Sequence, residues 1–170
     1  PEAEVFERWM HRIPNFSLRM SNLVAAIVRP QLGAALADRC RRWNERYCWL
    51  ASGLAALQGL QLPQRAAEEQ YVQSSIQFML PGWSAERMEA FVTAVAERGV
   101  HLKWFGAPQA AGFTSTWAHW HYLEGEQALP NASRVMAGLC DLRIPLSLRL
   151  EDCNAIVAAI AAALPAAAQA

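Results

Sequence analysis

YVQSSIQFMLPGWSAERMEAFVTAVAERG, residues 71–99, changes its period part-way and thereby sets the fold class. In the first ten residues Val72, Ile76, Phe78 and Leu80 alternate with Gln73, Ser75 and Gln77, the pattern of a half-buried strand. Pro81-Gly82 ends it. Ser84 then offers an N-cap hydroxyl with Glu86 in the first turn, and Met88, Phe91, Val92 and Val95 recur at helical spacing up to a stop at Gly99. A strand turning directly into a helix indicates an α/β layer.

Downstream, VHLKWF (100–105) reads as another strand, and an irregular aromatic-rich stretch follows from Gly106 to Pro130. A short helix is expected over Asn131–Cys140, a strand over LRIPL (142–146), and a last helix over about Leu150–Leu164. Upstream, GLQLP (59–63) is a short strand candidate. These elements predict a small α/β sandwich, with helices against a mixed sheet, over residues 58–170.

Residues 1–57 predict a helical arm. PEAEVFERWMHR opens it with Val5, Phe6, Trp9 and Met10 on one side, and begins as a cut inside a longer protein or a processed N-terminus would. Ser21 can cap the next helix, and Pro30 should break it. The helix then resumes with a stripe at Leu32, Leu36, Cys40, Trp43, Tyr47, Leu50 and Leu54, while Arg39, Arg41, Arg42, Glu45 and Arg46 form a solvated face. That apolar stripe needs a large domain or a second subunit to cover it.

Composition excludes several classes. With 15 basic and 15 acidic residues the net charge is zero, so no broad basic field exists for nucleic acid. Four scattered cysteines without Cys-x-x-Cys spacing read as reduced, buried thiols of a cytoplasmic protein. The C-terminal AIVAAIAAALPAAAQA is too short and alanine-rich for a membrane span.

Candidate chemistry is sparse. Fourteen of the basic residues are Arg, so Lys103 is the single amine side chain. At a strand end before a glycine turn, it is either an exposed sheet-edge lysine or a contact for a substrate or its phosphate. His119 and His121 in WAHWH form an HxH pair with no third ligand at a recognisable spacing, and Trp117, Trp120 and Tyr122 beside them suit an interface. Arg19, in NFSLRMSNL, either braces a helix start or holds an anion. No triad, Walker loop or paired-carboxylate motif is present, so no catalytic residue is assigned.

NFSLRMSNLVAAIVRPQL, SSIQFMLPG, AERGVHLKWFG and LPNASRVMAGLCDLRIPLSLRLEDCNAIVAAI, in this order, resemble the C-terminal part of the DegT/DnrJ/EryC1/StrS family of sugar aminotransferases, which are pyridoxal-phosphate enzymes of fold type I. The resemblance implies the small C-terminal domain, with the large domain that binds pyridoxal 5'-phosphate and carries the cofactor lysine lying upstream of this chain. It implies amino transfer from an amino-acid donor to a keto-sugar or similar small keto compound by a homodimer. Arg19 matches the family arginine of the cofactor-phosphate loop. Ser17 stands where the family has Asn, with Asn15 two residues earlier, so these three are the cofactor candidates. Lys103, Trp104 and Phe105 fall in the strand that lines the substrate side. The alternative is a non-catalytic dimerisation module, or a relative without transaminase activity.

Overall fold

The computed structural model describes residues 2–9, 12, 20–66, 68–69, 72–110, 116–122, 124–125 and 128–166. Among the described residues six α-helices and three strands follow in the order α1 (Glu2–Trp9), α2 (Asn22–Val28), α3 (Ala34–Ala55), β1 (Ser75–Met79), α4 (Ala85–Ala96), β2 (Lys103–Trp104), α5 (Pro130–Gly138), β3 (Leu139–Arg143) and α6 (Leu150–Ala166).

Local signals account for most boundaries. The Ser21 hydroxyl accepts the Val24 amide at 3.2 Å and starts α2. Pro30 lies in a 3-10 turn, Arg29–Gln31, that ends this helix, and α3 starts afresh after Gly33. Ser84 accepts the Arg87 amide at 3.2 Å and starts α4.

The α/β class is as expected, but the sheet is antiparallel throughout its described strands and not mixed. Its order is β1-β3-β2, and β3 runs against both neighbours. The helix α4 carries the chain from β1 to a β2 of the same direction, as a parallel crossover would. The slot between them is filled by β3, so the parallel pair never forms, as in a split βαβ unit.

Three strand expectations shift. GLQLP contributes one antiparallel bridge, Gln61 to Met79, with both hydrogen bonds at 2.8 Å. Pro63 has no amide to extend it. VHLKWF is reduced to Lys103–Trp104. The last strand begins at Leu139, before the expected LRIPL, and α5 stops at Gly138. A Cβ on Gly138 would sit 2.5 Å from the Leu80 carbonyl oxygen, so the chain can pass β1 closely there. The ladder from Leu139 to Met79 then outweighs the helical spacing of Met136 and Cys140.

The core lies between one sheet face and the helix layer. Ile76 and Phe78 of β1 and Cys140 and Leu142 of β3 point inward, against Tyr47, Leu50 and Leu54 of α3, Met88, Phe91 and Val95 of α4, and Ile156 and Ile160 of α6. Phe91 makes edge contacts with Phe78 and Trp83 at ring-centroid distances of 6.5 and 5.6 Å. Val72, expected on this face, precedes the strand and is exposed.

The second half of α3 is therefore part of the core. Trp43 donates its indole N–H to the Ile144 carbonyl at 2.8 Å. Arg46, expected on the solvated face, is buried instead. Its Nε donates to the Leu148 carbonyl at 2.7 Å, which satisfies the loop before α6, and its guanidinium to the Arg42 carbonyl one turn back in α3 at 2.8 Å. Leu32 and Leu36, at the start of the same stripe, are exposed. Cys140 and Cys153 are buried as expected, and burial pushes the Cys140 thiol up to about 12; Cys40 is half-buried and Cys48 exposed, and all four are free thiols. Among the described residues no helix is long and apolar enough to cross a membrane.

Candidate functional site

The helix layer covers one face of the sheet, and the other face carries the polar residues of all three strands. Pairing across the ladders sets Gln77 of β1 opposite Asp141 of β3, and Asp141 opposite Lys103 of β2. Directly opposed residues in an antiparallel pair share a face, so the three form one row across the sheet. Ser75 and Arg143 make the next pair on that face, and Met79 and Leu139 the pair on the other side of the row.

Of the substrate-lining candidates, Lys103 and Phe105 lie together, with the ammonium nitrogen 5.9 Å from the phenyl centroid. Desolvation by burial lowers the Lys103 pKa, and the charge of Asp141 opposes that shift. Trp104 points the other way. It packs against the core and donates its indole N–H to the Ala137 carbonyl at 2.8 Å. Gly106 makes room for this packing, since a Cβ there would fall 2.7 Å from the indole nitrogen and 2.9 Å from the Ala137 Cα. The Phe105 amide donates to the Leu139 carbonyl at 3.0 Å and holds the end of β2 against β3.

Asn15, Ser17 and Arg19 lie outside the described residues. His119 sits in a 3-10 turn, Trp117–His119, with Nε2 3.1 Å from the Pro108 carbonyl, and His121 is exposed beyond it. Trp120 and Tyr122 stack at 5.7 Å. Among the described residues no group of three His, Cys, Asp or Glu side chains gathers as metal ligands.

Sequence reasoning put Gln77 on the polar face of its strand but missed Asp141, and with it the row that the two form with Lys103. The available signal was Asp141 itself, a single carboxylate in the otherwise apolar run AGLCDL. A groove of about 790 Å³ between α3 and α6, lined by Cys48, Trp49, Asn154 and Val157, includes no residue of the sheet.

The model of the DegT/DnrJ/EryC1/StrS aminotransferase family matches residues 2–161. The chain belongs to this family. No curated protein matches it significantly by sequence. Among solved structures, 3-amino-5-hydroxybenzoic acid synthase superposes with a TM-score of 0.67 at 19% identity, over 97% of this chain and 47% of that one. The sugar aminotransferase CalS13 from Micromonospora echinospora gives a TM-score of 0.67 at 16% identity, over 92% and 43%. DesV of S. venezuelae, solved with a ketimine intermediate, gives 0.65 at 20% identity, over 95% and 44%. At these identities the likeness concerns the fold, which is that of fold type I aminotransferases. The chain spans less than half the length of each.

Proposed function

We propose that this chain is the C-terminal region of a cytoplasmic, homodimeric, pyridoxal-phosphate-dependent aminotransferase. It would act on a keto-sugar or similar small keto compound with an amino-acid donor. The observation that carries the reading is the family match over residues 2–161. The sugar aminotransferases among the structural neighbours support it. In this reading residues 1–57 serve dimer contact and the cofactor loop, and residues 58–170 close over the substrate.

Pyridoxal phosphate, when bound, supplies the electron sink for amino transfer. The described residues of the open sheet face alone do not suit its phosphate. Lys103 and Arg143 are the basic groups on the open sheet face, and both lie beside Asp141, which competes with a phosphate for their charge. The proposal therefore gives the cofactor mainly to a large domain outside this chain, with Asn15, Ser17 and Arg19 reaching its phosphate. Lys103 and Phe105 line the substrate side, and Trp104 holds their strand in place.

The complete gene product should bind pyridoxal phosphate with a visible absorption band and transfer an amino group to a keto-sugar. The 170-residue chain should do neither, and borohydride should leave Lys103 unmodified. Failure of the complete protein to bind the cofactor would sink the proposal and favour the non-catalytic module. In the complete enzyme Arg19→Ala should weaken cofactor or substrate binding by about 1.5–3 kcal/mol, the scale of a hydrogen bond to a charged group. Unchanged affinities with a lowered melting point would make Arg19 a brace.

A further inference from the structure

Arg39, Arg42, Trp43 and Arg46 recur along α3 at the spacing of a single helix stripe. Each donates a side-chain hydrogen bond to an oxygen outside the helix. Arg42, Trp43 and Arg46 hold alternate carbonyls of the loop between β3 and α6, those of Leu146 at 3.2 Å, Ile144 at 2.8 Å and Leu148 at 2.7 Å. Arg39 reaches the other way. Its Nη1 donates to Gln31 Oε1 at 2.7 Å, and Gln31 Nε2 donates to the Ile27 carbonyl, in the last turn of α2, at 2.8 Å.

Between Gln31 and Arg39 the backbone direction is weakly determined. Gly33 has φ 83° and ψ −139°, a conformation open to glycine, and a Cβ there would meet nothing within 4 Å. Helix α2 buries no residue, so apolar packing does not set its angle to α3. What spans the break is the relay from Arg39 through Gln31 to Ile27. Glutamine suits the middle position, because its amide offers an acceptor to the guanidinium and a donor to the carbonyl. A glutamate would keep the first bond and lose the second, and a leucine would lose both.

We propose that Gln31 and Arg39 form a latch, which fixes the direction of α2 relative to α3 and so to the C-terminal layer. With the bonds from Arg42, Trp43 and Arg46 at its other end, one stripe of α3 ties the arm to the connection between β3 and α6. Both latch bonds lie near the surface, so they restrict direction and add little to folding stability. The use of the latch rests on the reading of residues 1–57 as a subunit and cofactor arm. A swing at Gly33 would turn the exposed Leu23 and Ile27 away from whatever they contact.

Pulsed dipolar spectroscopy between two nitroxide labels tests it. Cys48, exposed on α3, takes one label, and Leu23→Cys on α2 takes the other, with Cys40→Ser and the buried Cys140 and Cys153 left in place. Labelled chains are diluted with unlabelled protein, so that only distances within one copy are read. The 170-residue chain should give one narrow distance distribution. Arg39→Met removes the guanidinium without altering α2, and should widen that distribution at least about twofold, as a freed hinge would. Gln31→Leu should widen it as much, Gln31→Glu less, and Gln31→Leu combined with Arg39→Met no more than either alone. The melting temperature should stay that of the labelled parent throughout. A distribution already broad in the parent, one equally narrow in Arg39→Met and Gln31→Leu, or widening that comes only with a lowered melting temperature would overturn the latch. The outcome is read from distances alone, so it stands whether or not the complete protein transfers an amino group.

Discussion

The apolar residues of the helical arm meet two fates, one in the later half of α3 and one in α2 and the turn before α3. From Trp43 to Leu54 the stripe packs on β1 and α6, with Leu50 and Leu54 fully buried. From Leu32 back through α2 the same kind of residue is exposed, with Leu23 at 72%, Ile27 at 57% and Leu32 at 55%. Amphipathic spacing marks the face that requires cover but does not say what supplies it. In the C-terminal layer the sheet supplies it within the chain. Along the arm, nothing among the described residues does.

The strongest way to break this comparison is to damage the covered half. Phe78 is fully buried and packs edge-on against Phe91. Phe78→Ala should cost about 3–5 kcal/mol by combined transfer and cavity terms, read by urea denaturation. Gly138→Ala should come next, at about 1–3 kcal/mol, because its methyl would meet the Leu80 backbone and not a side chain that can move. A loss as small as that of an exposed helix substitution would show that α5 and β1 separate easily.

Caps offer a smaller and cleaner contrast, since Ser84 and Ser21 make the same 3.2 Å bond in the two regions. Ser84→Ala should cost about 1 kcal/mol, because α4 is docked on the core and its unfolding is global. Ser21→Ala should leave global stability nearly unchanged, because α2 contributes no buried residue. Equal losses would mean that the arm unfolds together with the core.

On the arm itself, Leu23→Ser with Ile27→Ser should change folding stability by no more than about 0.5 kcal/mol. The same pair should lower the weight-average mass in sedimentation if this face is a subunit contact. An unchanged mass would remove the arm from the proposed dimer.

The smallest effect is one of pH. Hydrogen bonds from the Arg149 side chain and then its backbone amide hold the Asp152 carboxyl below its ordinary value near 3.8 at the start of α6. A carboxylate with a depressed folded pKa contributes stability above its unfolded value, and that contribution is lost as pH falls through the folded one. Stability should therefore decline below about pH 4, and Asp152→Asn should flatten that part of the profile, measured by thermal melts.

What the sequence determined was whatever depends on neighbours along the chain. The Ser21 and Ser84 caps, the break at Pro30, the strand alternation at Ile76 and Phe78 and the helical stripe of α4 are all short-range effects, and all are present in the structure. The order of the motifs also carried the family. The tertiary structure decided what depends on residues far apart. It inserted β3 between β1 and β2, moved the start of β3 to Leu139, and buried Arg46 under a loop about a hundred residues away. The polar row is of the same kind, for Gln77, Lys103 and Asp141 share no spacing that a local pattern could reveal. Only strand register brings them together, and register is set by the pairing of whole strands over a common core.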